Sequence, residues 1–258
     1  MKRYSVSDED LLRILSYEQK KAYIISAFWA IIRGVFVFSI IVLLVYIIAN
    51  FNALKTKFVY WYSNDLIIST ENNSQDKPVP LVKTQDEPMK PDFPLIAPNM
   101  INIPSISVNA PIVWGVTNTD SEVAKNLENG VIQIHGTALP GQAGNVYITG
   151  HSSNYSWTRG SYNNIFALLD KLVVGDIVYL NYHDAIYSYT VSSTKVVLAT
   201  DLSVLYKTED SRLSLVTCWP VGTSFKRLVV VAQQTYPDPK TNTETTATLD
   251  ASKLPSGR

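Results

Sequence analysis

The stretch LSLVTCWPVGTSFKRLVVVA, residues 213–232, holds the single cysteine of the chain, Cys218. It reads as two runs of leucine and β-branched residues parted by WPVGTSFK, a segment with the proline and glycine of a turn. Taken as a hairpin, alternation puts Leu213, Leu215 and Thr217 on one face and Ser214, Val216 and Cys218 on the other. Cys218 closes the first strand and Arg227 opens the second. Residues opposed across an antiparallel pair point to the same side, so the guanidinium reaches the space above the sulfur. A cation there favours the thiolate, the reactive form. The same position also suits an inert core thiol, because cysteine is among the most buried residue types.

The hairpin fits its surroundings. Between about Met100 and Tyr236, short β-branched and aromatic runs alternate with Gly, Pro, Asn and Asp: INIPSISV, APIVWGV, GVIQI, GNVYITG, DIVYLNY, IYSYTVSSTKVVLAT, RLSLVTC and RLVVVAQQTY. The turn around His183-Asp184-Ala185 reads as a second hairpin. SEVAKNLENG and NIFALLDKL are the two segments with a short helical pattern. Roughly eight strands in a domain of this size predict an all-β sandwich or closed barrel.

A thiol nucleophile needs a proton carrier, and the chain has three histidines. His151 follows the strand NVYIT and opens the polar loop HSSNYSWTRGSYNN. His135, in VIQIHGTALPG, also ends a strand, so spacing alone leaves both open. His183, in NYHDAIY, reads as a solvated turn residue.

GTALPGQAGNVYITGHSS (136–153), followed by LSLVTC and then Arg227, resembles the sortases over roughly residues 100–236. The family's TLxTC motif falls on Ser214-Leu215-Val216-Thr217-Cys218, with serine for the first threonine. The resemblance implies a closed eight-stranded sortase-type β-barrel with short helices and a cysteine transpeptidase. It assigns Cys218 as nucleophile, His151 as proton carrier and Arg227 as substrate and oxyanion ligand. It also implies an LPxTG-like sorting signal cleaved after threonine, with transfer to an amine of a peptidoglycan precursor or a pilin lysine. Thr217 is expected beside the substrate. The segment Ala199–Arg212 matches the loop that walls the signal groove, where Val204, Leu205 and Tyr206 would meet leucine and proline. No cofactor and no metal are expected. Asp120, Glu122, Glu128, Glu209 and Asp210 lack the dense spacing of an oxygen cage. A thiol peptidase and a non-catalytic sortase-like binding module are the competing classes.

Outside the domain, Ala22–Phe51 is apolar with one charge, Arg33. The uncharged run Gly34–Ala49 alone falls short of a ~30 Å hydrocarbon core, so a spanning helix begins near Trp29 and Arg33 snorkels. The stretch is too long for a signal peptide and no small-x-small site follows it. Lys2, Arg3, Arg13, Lys20, Lys21 and Arg33 precede the uncharged run while Lys55 and Lys57 follow closely. The positive-inside rule therefore predicts a cytoplasmic segment 1–21, a transmembrane helix 22–51 contacting membrane lipid, and an exported remainder. The expected location is the cell membrane, single-pass.

Residues 52–99 read as a juxtamembrane segment, apolar enough to continue as helix or lie at the membrane surface, then a stalk with six of the thirteen prolines. Within it Pro91-Asp92-Phe93-Pro94 loosely resembles the lid motif of pilin-type members. Residues 237–258, rich in threonine and poor in large apolar side chains, are expected to be disordered. Leu254-Pro255-Ser256-Gly257 is read as a coincidental likeness to a sorting signal. With 22 basic and 22 acidic residues the net charge is zero, which gives no footprint for nucleic acid.

Overall fold

The computed structural model describes residues 8–71, 93–154 and 158–244. The chain forms two compact units, Met1–Ala49 and Asn50–Arg258.

In the first unit a helix, α1 (Asp8–Ala49), contains the 27-residue span Tyr23–Ala49, whose apolar 18-residue window has a mean hydropathy of 2.8 and no part buried by protein. At about 1.5 Å per residue that span exceeds a hydrocarbon core of about 30 Å. It is long and apolar enough to cross a membrane by length and composition. The helix starts well before the apolar segment expected at residue 22.

The second unit contains α2 (Phe51–Glu71), β1 (Met100–Ile103), β2 (Val108–Val116), α3 (Asp120–Leu127), β3 (Val131–Ile134), β4 (Gln142–Thr149), β5 (Ile177–Tyr182), β6 (Ala185–Leu198), β7 (Ser211–Trp219), β8 (Lys226–Tyr236) and β9 (Thr243–Glu244). The strands run β3-β2-β1-β5-β6-β8-β7-β4, and a β3–β4 pairing closes the ring, while β9 flanks β4. This is the closed eight-stranded barrel expected. In the barrel two pairs, β2–β3 and β4–β7, are parallel, and β9 also runs parallel to β4. Parallel neighbours need a crossover; α3 serves the first pair, and β5, β6 and their loops serve the second.

Local chemistry explains the departures from the strand reading. INIPSISV is not one strand, because Pro104 has no amide to give to a ladder. A 3-10 turn over Pro104–Ile106 follows β1, and Ser107 sits at φ 54. The β5–β6 turn is two residues long, with His183 at φ 48 and Asp184 at φ 63, the left-handed pair of a type I′ turn.

Two apolar clusters divide the faces of the sheet. Ile101, Val146, Ile148, Leu213, Leu215 and Val230 pack together in one, and Tyr147, Val216, Val229 and Val231 in the other. The first fills the barrel, as eight-stranded barrels allow. The second lies on the outer face of β4, β7 and β8 and is covered by Leu127 of α3 and by Val204 and Leu205. These strands are therefore buried on both sides.

The helix α2 lies on the barrel. Ala53 is 1% exposed and Tyr60 packs against the core. Between them Thr56 accepts a hydrogen bond from Asn164 Nδ2 at 2.7 Å, and Lys57 Nζ stands 3.2 Å from Asp170 Oδ2. Residues 72–92, most of the expected stalk, lie outside the described residues, as does Asp92 of the lid-like motif. Phe93 packs on Tyr179 and Tyr236, with ring centroids 6.2 and 4.6 Å away. Tyr236 ends β8 and Arg227 stands near its start, so at ~3.3 Å per residue Phe93 is far from the arginine.

The expected disorder from residue 237 gives way to structure through residue 244. Asp238 caps a 3-10 turn by accepting from Lys240 N. Asn242 Nδ2 then donates to Gln142 O, Ser211 Oγ and Gln234 Oε1, which seats β9 against β4. Side-chain hydrogen bonds order this segment without apolar burial. Leu254–Gly257 lies outside the described residues.

Candidate active site

Alternation along β7 decides where the thiol points. Leu213 and Leu215 belong to the barrel interior, so Val216 and Cys218 face outward. Cys218 is a free, half-buried thiol. In the β7–β8 ladder Cys218 stands opposite Arg227, as the hairpin reading requires. Arg227 Nη1 donates to Ser224 O and Lys226 O, both at 3.0 Å. A guanidinium has five N–H donors, so this tether fixes the group by one nitrogen.

His151 arrives by a different route. It follows β4, which runs parallel to β7 with Thr149 beside Val216. Past the ladder the two strands stay joined: Gly150 N donates to Val216 O, Thr149 Oγ1 to Val216 O at 3.0 Å, and Thr217 Oγ1 to Gly150 O at 2.8 Å. Phe166 N donates to the His151 carbonyl. At Gly150 an added Cβ would come within 2.8 Å of the Phe166 ring and 3.0 Å of Val131. The backbone before the histidine is thus held by hydrogen bonds on one side and by contact on the other.

Cys218, His151 and Arg227 line a single cleft of about 550 Å³, within the usual size of a ligand site. Tyr147, Thr149 and Ile134 contribute to it from the barrel, Asp120 and Val123 from α3, and Leu202 and Leu205 from the turn after β6. Burial pushes the His151 imidazole below its usual value of 6.5. Burial pushes the Tyr147 phenol well up, against a smaller opposing pull from Arg227, so it stays protonated. The cleft thus places a thiol, a histidine that favours its neutral form and a permanent cation beside an apolar wall.

The other expected residues fall as follows. His135 is exposed beyond β3 and does not line the cleft. His183 is exposed on the β5–β6 turn, its ring against Tyr182. The Thr217 side chain is 2% exposed and its hydroxyl is spent on Gly150 O. Of Val204, Leu205 and Tyr206, the cleft receives Leu205. Val204 and Tyr206 instead line a small pocket beside Asn145 and Lys195. Tyr147, Thr149 and Leu202 are cleft residues the sequence reading did not single out. For the first two a signal existed, since they precede His151 by two-residue steps along one strand face. Among the described residues no group of three or more His, Cys, Asp or Glu is placed to hold a metal. A second cavity, of about 470 Å³, lies between α2 and the barrel and contains neither the cysteine nor a histidine.

Residues 101–235 match the family model of the sortase domain. The chain is 32% identical over 133 residues to sortase A of Listeria monocytogenes, a match over 52% of this chain and 54% of the relative. It thus spans about half the length of the curated relative it matches. Among solved structures, sortase A of Corynebacterium diphtheriae, a lid mutant, is 30% identical with a TM-score of 0.45, over 55% of this chain and 71% of that one. Sortase C of Clostridium perfringens, solved with the C-terminal cell wall sorting motif, is 28% identical with a TM-score of 0.44, over 53% and 69%.

Proposed function

The chain belongs to the sortase family, and from that premise we propose that it is a membrane-anchored cysteine transpeptidase acting on an LPxTG-like sorting signal. The observation that carries this reading is the convergence of Cys218, His151 and Arg227 on one cleft with an apolar wall at Leu202 and Leu205. Helix α1 would anchor the enzyme, and the basic flank ahead of it supports a cytoplasmic N-terminus and an extracellular barrel.

The geometry suits a two-step acyl transfer. The Cys218 thiolate attacks the carbonyl carbon after the signal threonine, forming a C–S bond and placing charge on the carbonyl oxygen. Arg227, tethered by one nitrogen, has N–H groups left to stabilise that oxyanion. His151, having taken the proton of the Cys218 thiol, gives it to the departing amine as the C–N bond breaks, leaving a thioester on Cys218. In the second step an acceptor amine attacks the thioester, His151 takes its proton, and the thiolate leaves. The acceptor would belong to a peptidoglycan precursor or a pilin lysine.

The test is product analysis. The full chain in detergent, given an LPxTG-bearing peptide and a small primary amine, should yield the amide of the threonine as the main product by mass. Cleavage with only the hydrolysed acid, whatever the amine concentration, would instead make it a peptidase. Absence of any Cys218-dependent cleavage across a pentapeptide library would leave a binding module.

A further inference from the structure

The cleft wall is held from below by a buried polar clip. Asn145, on the outer face of β4, is 4% exposed. Its Nδ2 donates to the carbonyl of Val204 at 2.8 Å, and its Oδ1 accepts from Ser214 Oγ of β7 at 2.8 Å. Ser214 is 3% exposed. One amide therefore joins two barrel strands to the 3-10 turn Leu202–Leu205. The other hydrogen bonds described for that turn are local: Ser203 N donates to Asp201 Oδ1, and Tyr206 N to Ser203 O. Local bonds shape the turn, but they do not say where it sits on the barrel.

We propose that Asn145 is a positioning residue for substrate binding, which by holding the Val204 carbonyl against β4 fixes where Leu202 and Leu205 stand across the cleft from Cys218. The proposal rests on the reading of the cleft as a peptide groove. Asparagine suits the task because it donates with one end and accepts with the other. A fixed wall spares the complex the entropy of ordering a loop on binding. The serine at position 214 keeps the hydroxyl of the threonine it stands in for, and that hydroxyl orients the asparagine. Asn145 lines the pocket behind the wall and not the cleft itself, so it acts through the turn and touches no reacting atom.

The test pairs kinetics with amide hydrogen exchange on the full chain in detergent. Asn145→Asp keeps an acceptor for Ser214 but loses the donor to Val204. It should raise KM for the signal peptide on the order of tenfold with kcat little changed, the signature of lost binding alone. Exchange across residues 202–206 should quicken while β7 and β8 keep their protection. Ser214→Ala should give a smaller shift in the same direction, and Ser214→Thr, which keeps a hydroxyl, should restore slow exchange. Ser214→Ala also carries the test if Asn145→Asp fails to fold. Unchanged exchange at 202–206 in both loss variants would overturn the clip, as would a fall in kcat with KM unaltered. The exchange measurement uses no substrate, so it tests the clip even if no sorting peptide is turned over.

Discussion

The three side chains proposed to act in catalysis owe their positions to two different interactions. Cys218 and Arg227 are opposed by strand register, which is short-range and visible in the sequence as alternation. His151 is set by the parallel pairing of β4 with β7, two strands that lie far apart in the chain. That is why spacing alone could not separate His151 from His135: both end a strand, and only the topology shows which strand neighbours the cysteine. Burial has a chemical consequence at His151. The imidazolium is disfavoured, so the folded pKa lies below 6.5. The unfolded chain takes up this proton at higher pH than the native one. This group therefore weakens the fold as pH falls through the unfolded value and has no effect well above it. In catalysis the first protonation step of the pair sets the acid limb of kcat/KM. That limb should have its midpoint below pH 6.5 in a profile of peptide cleavage, and a midpoint at or above it would contradict a buried histidine in the mechanism.

At the scale of elements, the β7–β8 hairpin and the core strands were legible because a period of two distinguishes the faces of a strand. The wall after β6 was legible as a loop but not in its orientation. The Asn145–Val204 bond turns Leu205 into the cleft and leaves Val204 and Tyr206 in the pocket beside Asn145. The docking of α2 was hidden for a similar reason. Phe58, Trp61 and Tyr62 are apolar but exposed, while Thr56 and Lys57 make the contacts. Lys57 also stands 5.5 Å from the ring of Trp219, the residue after Cys218. Ser153, two residues past His151, donates to Asn50 Oδ1. Helix α2 and the residue just before it therefore touch the chain just beyond the thiol and the histidine. Asp170 is 15% exposed at its side chain, and its Oδ1 has no hydrogen-bond partner among the described residues. Lys57→Ala should thus cost about 1–2 kcal/mol, between an exposed and a buried pair. Thermal unfolding of the barrel should show a lower Tm for Lys57→Ala than for Lys55→Ala on the exposed face of α2. Equal Tm values would mean that the helix is not held by this pair.

On the scale of the whole molecule, two separate physical requirements meet in one chain. A helix with an apolar span long enough for a bilayer occupies the first unit, and a barrel stabilised without any disulfide occupies the second. The barrel is buried on both faces of β4, β7 and β8, so the thiol can leave the core without leaving protected surroundings. Composition announced the apolar helix and the strand-rich domain. It did not announce the order of residues 238–244, which depends on hydrogen bonds from Asn242 to three separate segments. In the proposed function the lone cysteine carries an acyl group between two amines. Intact-mass spectrometry of the full chain mixed with an LPxTG-bearing peptide, quenched in acid before acceptor is added, tests it most directly. The prediction is an adduct equal to the acyl part of the peptide, mapped to Cys218, discharged by an added amine and absent from Cys218→Ala. Cleavage of the peptide by Cys218→Ala, or an adduct mapped to any other residue, would contradict it.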